Sequence, residues 1–314
     1  MRVAVTGAGG RLGRALMAAL EDAPFTGPAG PIAWGRDGFD LDAPHGIDTI
    51  VERDRVETVV HAAAWTDVDG CAREPSLAFR RNAEATGVLA RACAARGLDL
   101  VIVSTNEVFD GRRTDGRGYR PEDRTNPLNP YGASKLAGEE AARAAFGGRD
   151  RTGGARPDPQ LAIVRTAWLF GPGRPDFPAK ILGAARRALE IGRPLQVVGD
   201  EWGSPTYVAD LAEGIVELVG SGTFAGTHHL VNAGVTSRAG WAVDIVTRAA
   251  LPVRLEEVSA ATWPRPSVAP AWAVLEPTPM LSGEPLRSWQ EAMADYAPTL
   301  FREHGRSTAT RSVR

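Results

Sequence analysis

The start of the chain reads Val3-Ala4-Val5-Thr6-Gly7-Ala8-Gly9-Gly10-Arg11-Leu12-Gly13, an apolar run followed by a glycine-rich turn. The apolar run predicts a buried strand, and residues 11–21 have the amphipathic pattern of a helix. Glycines at such a junction let the backbone approach a pyrophosphate, and the helix N-terminus offers it free N–H groups and a positive dipole. The turn therefore predicts a dinucleotide site, with Gly7 and Gly13 among its contacts.

Strands and helices alternate through the first half of the chain. Helical patterns separate a series of short apolar runs, which predict strands at residues 3–5, 32–34, 58–60 and 100–103. The longest helical pattern covers residues 75–96. This alternation predicts an α/β fold with a doubly wound parallel sheet of the Rossmann type and right-handed crossovers.

The second half of the chain is irregular and rich in Pro and Trp, which favours a smaller region that covers the substrate. We therefore expect a dinucleotide-binding domain over residues 1–166, completed by part of residues 206–235, and a mainly substrate-binding region over residues 167–303. Residues 147–159 have no periodic pattern and predict a flexible surface loop, and the polar residues 304–314 predict a flexible tail.

Composition and charge favour a small-molecule ligand over a macromolecular one. The 314 residues carry a net charge of -2 without a basic stripe, so the electrostatic footprint of a nucleic-acid-binding protein is missing. The sequence has no run of about 18 apolar residues, and its first residues lack the pattern of a signal peptide. We therefore expect a cytoplasmic protein without a membrane partner. Cys71, Cys93 and the His228-His229 pair have no further ligands nearby in sequence, so we expect packing roles and no metal site.

Tyr131 and Lys135 form the most informative pair of side chains. Of the 36 basic residues all are Arg except Lys135 and Lys180. Positions four apart on a helix share one face, so the phenol and the amine can touch the same ligand. A phenol titrates near ~10, and a fixed positive charge beside it lowers that pKa by favouring phenolate. The pair therefore predicts a proton-donating tyrosine tuned by an ammonium group.

Trp34-Gly35-Arg36 follows the second predicted strand and bears on the choice of dinucleotide. A guanidinium at this position can pair with a 2′-phosphate, whereas an acidic residue would hold a bare ribose diol. Arg36 therefore favours NADPH as the cofactor, although NADH stays open because Asp37 follows directly.

Further motifs appear in order along the chain. They are His61-Ala62-Ala63-Ala64-Trp65-Thr66-Asp67-Val68-Asp69, Ser104-Thr105-Asn106-Glu107-Val108-Phe109-Asp110-Gly111, Pro127-Leu128-Asn129-Pro130-Tyr131-Gly132, Arg165-Thr166-Ala167-Trp168 and Gly203-Ser204-Pro205-Thr206. With the glycine-rich turn, they resemble the dTDP-4-dehydrorhamnose reductase family of the extended short-chain dehydrogenase/reductase superfamily. The resemblance covers nearly the whole chain and is strongest over residues 1–207.

The resemblance implies a role for each matching residue. Thr105 would hydrogen-bond a sugar carbonyl, Tyr131 would protonate it, and Lys135 would hold a ribose and lower the proton affinity of the tyrosine. Further cofactor contacts would come from Gly10, Arg11 and Leu12 at the pyrophosphate, Asp40 and Leu41 at the adenine, and Ala62, Ala63 and Ala64 at the nicotinamide ribose. The sugar would meet Trp168, Thr66, Val68 and Asn106. We accordingly expect NADPH-dependent reduction of the C4 ketone of a nucleotide-linked deoxysugar, with dTDP-4-dehydrorhamnose as substrate and dTDP-rhamnose as product.

Two departures from the family pattern bear on the substrate. Asn106-Glu107 stands where the family carries Asp-Tyr, and Ala269 stands where it carries an arginine before proline. We expect Arg265, four residues earlier, to reach the anionic group of the substrate instead. The alternatives are a reductase or epimerase for another nucleotide sugar, and a non-catalytic dinucleotide-binding subunit resembling the methionine adenosyltransferase beta subunit. The expected assembly is a monomer or a homodimer.

Overall fold

The computed structural model describes residues 1–28, 30–147 and 158–305 of the chain. Its strands are β1 (Val3–Thr6), β2 (Ile32–Trp34), β3 (Thr58–His61), β4 (Asp99–Thr105), β5 (Leu161–Thr166), β6 (Leu169–Phe170), β7 (Leu195–Val198), β8 (Trp202–Gly203), β9 (Thr206–Tyr207), β10 (Gly226–His229), β11 (Asn232–Ala233), β12 (Thr236–Ser237), β13 (Leu255–Val258) and β14 (Leu286–Ser288). Its helices are α1 (Arg11–Glu21), α2 (Ile47–Asp54), α3 (Val68–Arg73), α4 (Pro75–Phe79), α5 (Ala85–Arg96), α6 (Pro130–Gly147), α7 (Phe177–Glu190), α8 (Val208–Gly220), α9 (Arg238–Arg248) and α10 (Trp289–Gly305).

A parallel sheet of six strands forms the centre of the described structure, in the order β10-β5-β4-β3-β1-β2. The chain runs outward from β1 to β2 on one side and from β3 through β4 to β5 on the other, so the strand order reverses between β1 and β3. At such a reversal the carboxyl ends of parallel strands leave a crevice for ligands. The predicted doubly wound α/β fold is confirmed, and the four predicted strands fall within β1, β2, β3 and β4.

The glycine-rich turn can close because two of its residues lack a side chain. Gly7 has a left-handed backbone with φ of +66°, and a Cβ there would lie 2.9 Å from the backbone of Ala63. A Cβ on Gly13 would lie 2.1 Å from the carbonyl oxygen of Gly7. The first turn of α1 therefore lies directly against the turn that follows β1, which keeps its N–H groups at the crevice.

The predicted helical stretch over residues 75–96 is confirmed as α4 and α5, which are joined by a π-helical turn, Arg80–Glu84. Turns of this type are rare and occur frequently at functional sites. Asn82 lies within the turn and is buried.

The second half of the chain contributes both to the central sheet and to a second lobe. β10 pairs in parallel with β5 at the edge of the sheet, and α8 packs beside α1. Helices α7, α9 and α10 pack around the fully buried Trp241, and we call this part of the structure the second lobe. β7 and β13 pair in parallel within it.

Several smaller predictions concern residues away from the crevice. Cys71 and Cys93 are buried free thiols, and His229 is buried in β10, in line with the packing roles expected for them. Of the predicted loop and tail, residues 148–157 and 306–314 lie outside the described residues, while α10 extends two residues into the tail. Within the described ranges, no helix is both long and apolar enough to span a bilayer.

Candidate active site

The crevice at the reversal of strand order contains a cavity of about 620 Å³, within the range of roughly 300–1,000 Å³ typical of ligand sites. Predicted contacts with cofactor or sugar that line it are Gly7, Gly10, Arg11, Arg36, Asp40, Leu41, Ala62, Ala63, Ala64 and Thr66. Four other predicted cofactor contacts are not among the residues that line it: Leu12, Gly13, Tyr131 and Lys135. The Leu12 side chain is buried in the core beneath α1, so only its backbone is left to face a pyrophosphate.

Arg11 borders the crevice on the side of the second lobe. Its guanidinium donates to the backbone carbonyl oxygens of Leu169 and Arg174, while its Nε is buried without a hydrogen-bond partner among the described residues. Buried polar groups are nearly always satisfied in proteins. Arg11, which is predicted to cover the pyrophosphate, thus has an Nε–H donor that no acceptor among the described residues satisfies.

Asp42 and Arg81 line the cavity but were missed by the sequence analysis. Arg81 donates from Nε and Nη2 to the two carboxylate oxygens of Asp42, at 2.6 and 2.7 Å. The hydrogen bonds from Arg81, with the charges of Arg36 and Arg80, hold the pKa of Asp42 below its usual value. Asp42 is thus hydrogen-bonded to Arg81, whereas the Arg36 side chain lines the cavity without a hydrogen bond or ion pair to the described residues.

Thr105, Tyr131 and Lys135 meet where β4 ends and α6 begins, and all three are buried. The Thr105 hydroxyl is close enough to Tyr131 to act on the pKa of the phenol, and Tyr131 packs with Trp65 at the wall of the cavity. The charge of Lys135 helps to lower the pKa of His61 at the end of β3. The amine therefore lies near the point where the strand order reverses. The structure therefore places the three predicted catalytic residues on adjoining elements beside the cavity, although none of the three is among the residues that line it.

Burial is the main influence on the pKa values of Tyr131 and Lys135. It raises the pKa of the Tyr131 phenol, the charge of Glu107 raises it further, and Thr105 opposes the change. Burial also lowers the pKa of the Lys135 ammonium from 10.5 to about 8, against the charge of Glu139. The phenol pKa is thus raised where the sequence predicts a lowering, because burial and the charge of Glu107 favour the neutral phenol. Tyr131 consequently carries its proton at neutral pH, as a proton donor must.

Glu139 stands one turn after Lys135 in α6 and is buried. Arg165 donates to its carboxylate from Nε and Nη2 at 3.0 and 2.8 Å, and the Ser104 hydroxyl donates at 2.6 Å. Against the effect of burial, these bonds lower the pKa of the carboxyl. The fixed anion favours the protonated form of Lys135.

Asn82 is a positioning residue that the sequence analysis missed. Its Oδ1 accepts from the Trp65 N–H at 2.8 Å, and its Nδ2 donates to the Trp65 carbonyl oxygen and to Ser134 Oγ, both at 3.1 Å. It thus ties the segment after β3, which lines the cavity, to the helix that carries Tyr131 and Lys135. The one signal in the sequence was an asparagine inside a predicted helix, where this residue is a poor helix former.

Asn82→Ala is expected to lower kcat on the order of 10- to 100-fold, because displacement of positioned groups by a fraction of an ångström is costly to catalysis. The free energy of unfolding should fall by about 1–3 kcal/mol, since the Trp65 N–H loses its acceptor. Steady-state kinetics and urea unfolding measure the two effects, with the exposed Asn126→Ala as control. Loss of stability with an unchanged kcat would show that Asn82 has no role in positioning.

Trp168, predicted to pack against the sugar, lies between the central sheet and the second lobe. The guanidinium of Arg238 stacks on its ring at 3.6 Å from the ring centre, and Trp241 stacks at 5.9 Å. A Cβ on Gly203 would lie 2.6 Å from the ring, so glycine is required there. The sugar contact stays a prediction, and the structure adds Arg238 as the group that covers Trp168.

The other predicted sugar contacts, apart from Thr66, are not among the residues that line the cavity. The Asn106 Nδ2 donates to the Ala273 carbonyl oxygen at 2.9 Å, which holds the second half of the chain against the end of β4. Val68 packs in the same cluster as Tyr131. Arg265 is 45% exposed and lies 3.4 Å from a carboxylate oxygen of Asp69, so a substrate anion would have to compete with this ion pair.

The comparisons with known proteins agree with this geometry. The family model described as RmlD substrate binding domain matches residues 1–301. The chain belongs to the RmlD family. The predicted family resemblance is thereby confirmed.

Relatives in the RmlD family cover almost the whole chain. The dTDP-4-dehydrorhamnose reductase of Mycobacterium tuberculosis is 39% identical over 302 residues, which are 93% of this chain and 91% of that protein. The Streptomyces griseus protein of the same name is 36% identical over 311 residues, 96% of this chain and 95% of its own.

Solved structures of RmlD relatives share the fold. The dTDP-4-dehydrorhamnose reductase of Clostridium acetobutylicum has a TM-score of 0.83 at 28% identity, over 96% of this chain and 99% of that one. The Bacillus anthracis reductase, solved in complex with NADP, has a TM-score of 0.82 at 30% identity, over 95% and 99% of the two chains.

Proposed function

We propose that this RmlD-family protein catalyses the NADPH-dependent reduction of the C4 ketone of a dTDP-linked deoxysugar, from dTDP-4-dehydrorhamnose to dTDP-rhamnose. The observation that carries the proposal is the meeting of Thr105, Tyr131 and Lys135 beside the cavity of the glycine-rich turn. Relatives that bear the name of this reductase, and a solved relative with bound NADP, support it.

The residues around the cavity fit a phosphorylated dinucleotide. Gly10 precedes α1 and supplies no side-chain cap, so the first N–H groups of the helix are left for a pyrophosphate. Arg36 supplies a cation for a 2′-phosphate. We assign the pyrophosphate to the turn with Arg11 and the backbone of Leu12, the adenine to Asp40 and Leu41, and the nicotinamide ribose to Ala62, Ala63, Ala64 and Lys135.

The chain's own residues then handle the oxygen of the ketone. When bound, NADPH supplies the hydride that reaches the ketone carbon. Negative charge develops on the carbonyl oxygen, where Thr105 and Tyr131 offer two preorganised hydroxyl donors. Tyr131 gives its proton to this oxygen, and the positive charge of Lys135 stabilises the phenolate that remains.

The direct test follows NADPH absorbance in the presence of dTDP-4-dehydrorhamnose, with identification of the product nucleotide. Substrate-dependent loss of absorbance and formation of dTDP-rhamnose are expected. Dinucleotide binding without turnover would favour a non-catalytic subunit, and faster turnover of another nucleotide sugar would favour a different reductase. The domain division, the cytoplasmic location and the monomeric or homodimeric state stay predictions.

Arg36→Ala is expected to raise the KM for NADPH by roughly 10- to 100-fold, because a charge-assisted contact with phosphate contributes about 1.5–3 kcal/mol. The KM for NADH, which lacks the 2′-phosphate, should change by less than about twofold. Steady-state kinetics with both coenzymes measure the ratio, and the exposed Arg112→Ala serves as control. Equal losses with the two coenzymes would contradict the assignment of Arg36.

A further inference from the structure

We infer that Glu107 binds the substrate, and that its carboxylate accepts a hydrogen bond from the sugar hydroxyl on carbon 3, next to the ketone. The inference rests on the proposed function and adds to it a residue that determines which sugars are reduced.

The location of Glu107 is fixed by its contacts on two sides. Its backbone N–H donates to Thr105 Oγ1 at 3.2 Å, which ties it to one of the two hydroxyls expected at the ketone oxygen. Its carbonyl oxygen lies against the first turn of α6, where a Cβ on Gly132 would be 2.1 Å away. Glu107 is therefore held between Thr105 and the helical turn of Tyr131.

The carboxylate of Glu107 is also oriented, by one of its two oxygens. Asn129 Nδ2 donates to Oε2 at 2.6 Å. Asn129 is buried and held in turn, since its Oδ1 accepts from the Gly132 N–H at 2.8 Å and its Nδ2 also donates to the Val268 carbonyl oxygen at 2.9 Å. The second oxygen, Oε1, receives no hydrogen bond from the described residues, which leaves an acceptor for a ligand.

The charges around Glu107 explain how a carboxylate is kept in the site. Burial raises its pKa, and the hydrogen bond from Asn129 with the charges of Arg238 and Arg265 opposes this. Arg238 pairs with Glu201 at 3.4 Å and is not bonded to Glu107 itself. Glu107 is only partly buried and its Oε1 is not among the buried atoms without a partner, so this oxygen stays accessible to a donor such as a sugar hydroxyl.

The choice of carbon 3 follows from the expected position of the ketone. An oxygen held by the Thr105 and Tyr131 hydroxyls places the neighbouring ring carbons beside Glu107, whose charge acts on the phenol. In a 4-keto-6-deoxyhexose these neighbours are carbon 3, which bears a hydroxyl, and carbon 5, which bears a methyl group and the ring oxygen. Only the hydroxyl on carbon 3 can donate to a carboxylate.

A cycle of two enzymes and three substrates tests the contact. Wild type and Glu107→Gln are compared on dTDP-4-dehydrorhamnose and on its 3-deoxy and 2-deoxy analogues. For wild type, kcat/KM should fall by roughly 10- to 100-fold on the 3-deoxy analogue, as for loss of a hydrogen bond to a charged group. Glu107→Gln should lose a similar factor on the full substrate, and less than about threefold more on the 3-deoxy analogue.

Additive losses in this cycle would overturn the contact, and coupling to the 2-deoxy analogue instead would overturn the assignment to carbon 3. If wild type does not reduce the full substrate, the proposed function fails. If wild type reduces it but the cycle shows no coupling, only the contact of Glu107 fails. Glu140→Gln removes the same charge from an exposed position of α6 and should behave as wild type on all three substrates.

Glu107→Asp separates the position of the carboxylate from its charge. The shorter side chain keeps the negative charge but withdraws the carboxylate by one methylene. It should therefore lose the coupling to the 3-hydroxyl as Glu107→Gln does, and wild-type coupling in Glu107→Asp would count against a direct contact.

Discussion

Tyr131→Phe is expected to lower kcat for ketone reduction by about 10²- to 10⁴-fold, the usual contribution of a general acid. The substitution removes one oxygen and leaves the ring packed with Trp65, Val68 and Cys71. The developing alkoxide then keeps the Thr105 hydroxyl but has no proton to take. Stopped-flow single turnover of NADPH measures the chemical step directly.

The same variant should bind NADPH with a Kd within about threefold of wild type, because the hydroxyl acts on the sugar oxygen. Tyr296→Phe, a buried tyrosine of α10, is the matched control and should keep kcat within about twofold. A Tyr131→Phe enzyme that reduces the ketone at the wild-type rate would refute the role assigned to this residue.

Lys135→Met is expected to lower kcat on the order of 100-fold and to raise the Kd for NADPH by roughly 10-fold, because one ammonium serves ribose and phenol. Met fills much of the same volume, so packing is kept. Lys180→Met is the matched control, since Lys180 is the second lysine of the chain and is exposed in α7. Fluorescence titration with NADPH and single turnover measure the two effects. Wild-type turnover in Lys135→Met would contradict the assignment.

Lys135→Met should raise the free energy of unfolding although it lowers kcat. Burial lowers the pKa of Lys135 in the folded chain from 10.5 to about 8, so folding disfavours the charged amine. The unfolded chain binds more protons between these two values, and the stability of wild type therefore rises with pH across this window. Below pH 8, the unliganded variant should exceed wild type by on the order of 1–3 kcal/mol, and the difference should disappear above about pH 10.

Features that depend on local pattern could be predicted from the sequence. The apolar runs, the glycine-rich turn and the spacing of Tyr131 and Lys135 led to the fold, the crevice and the buried polar residues beside it. Each of these signals lies within a few neighbouring residues, where period and turn chemistry are informative.

Features that depend on pairing between distant segments could not be predicted. The Asp42–Arg81 ion pair and the bonds of Asn82 join residues far apart in sequence, and no motif marks either of them. The direction of the Tyr131 pKa was missed for a related reason, since the extent of burial depends on the packed fold. The orientation of Glu107 by Asn129 could not be predicted either, because these residues are 22 positions apart and meet only in the folded chain.

The late arrival of β10 at the edge of the central sheet matters for how the protein is made. Until residues 226–229 leave the ribosome, β5 presents a bare row of backbone N–H and C=O groups that another chain could pair with. At translation speeds of roughly 5–20 residues per second, that exposure lasts several seconds in each round of synthesis. A truncated protein that ends after β5 would keep this unpaired edge strand exposed. It should therefore aggregate and should not fold as an independent nucleotide-binding domain.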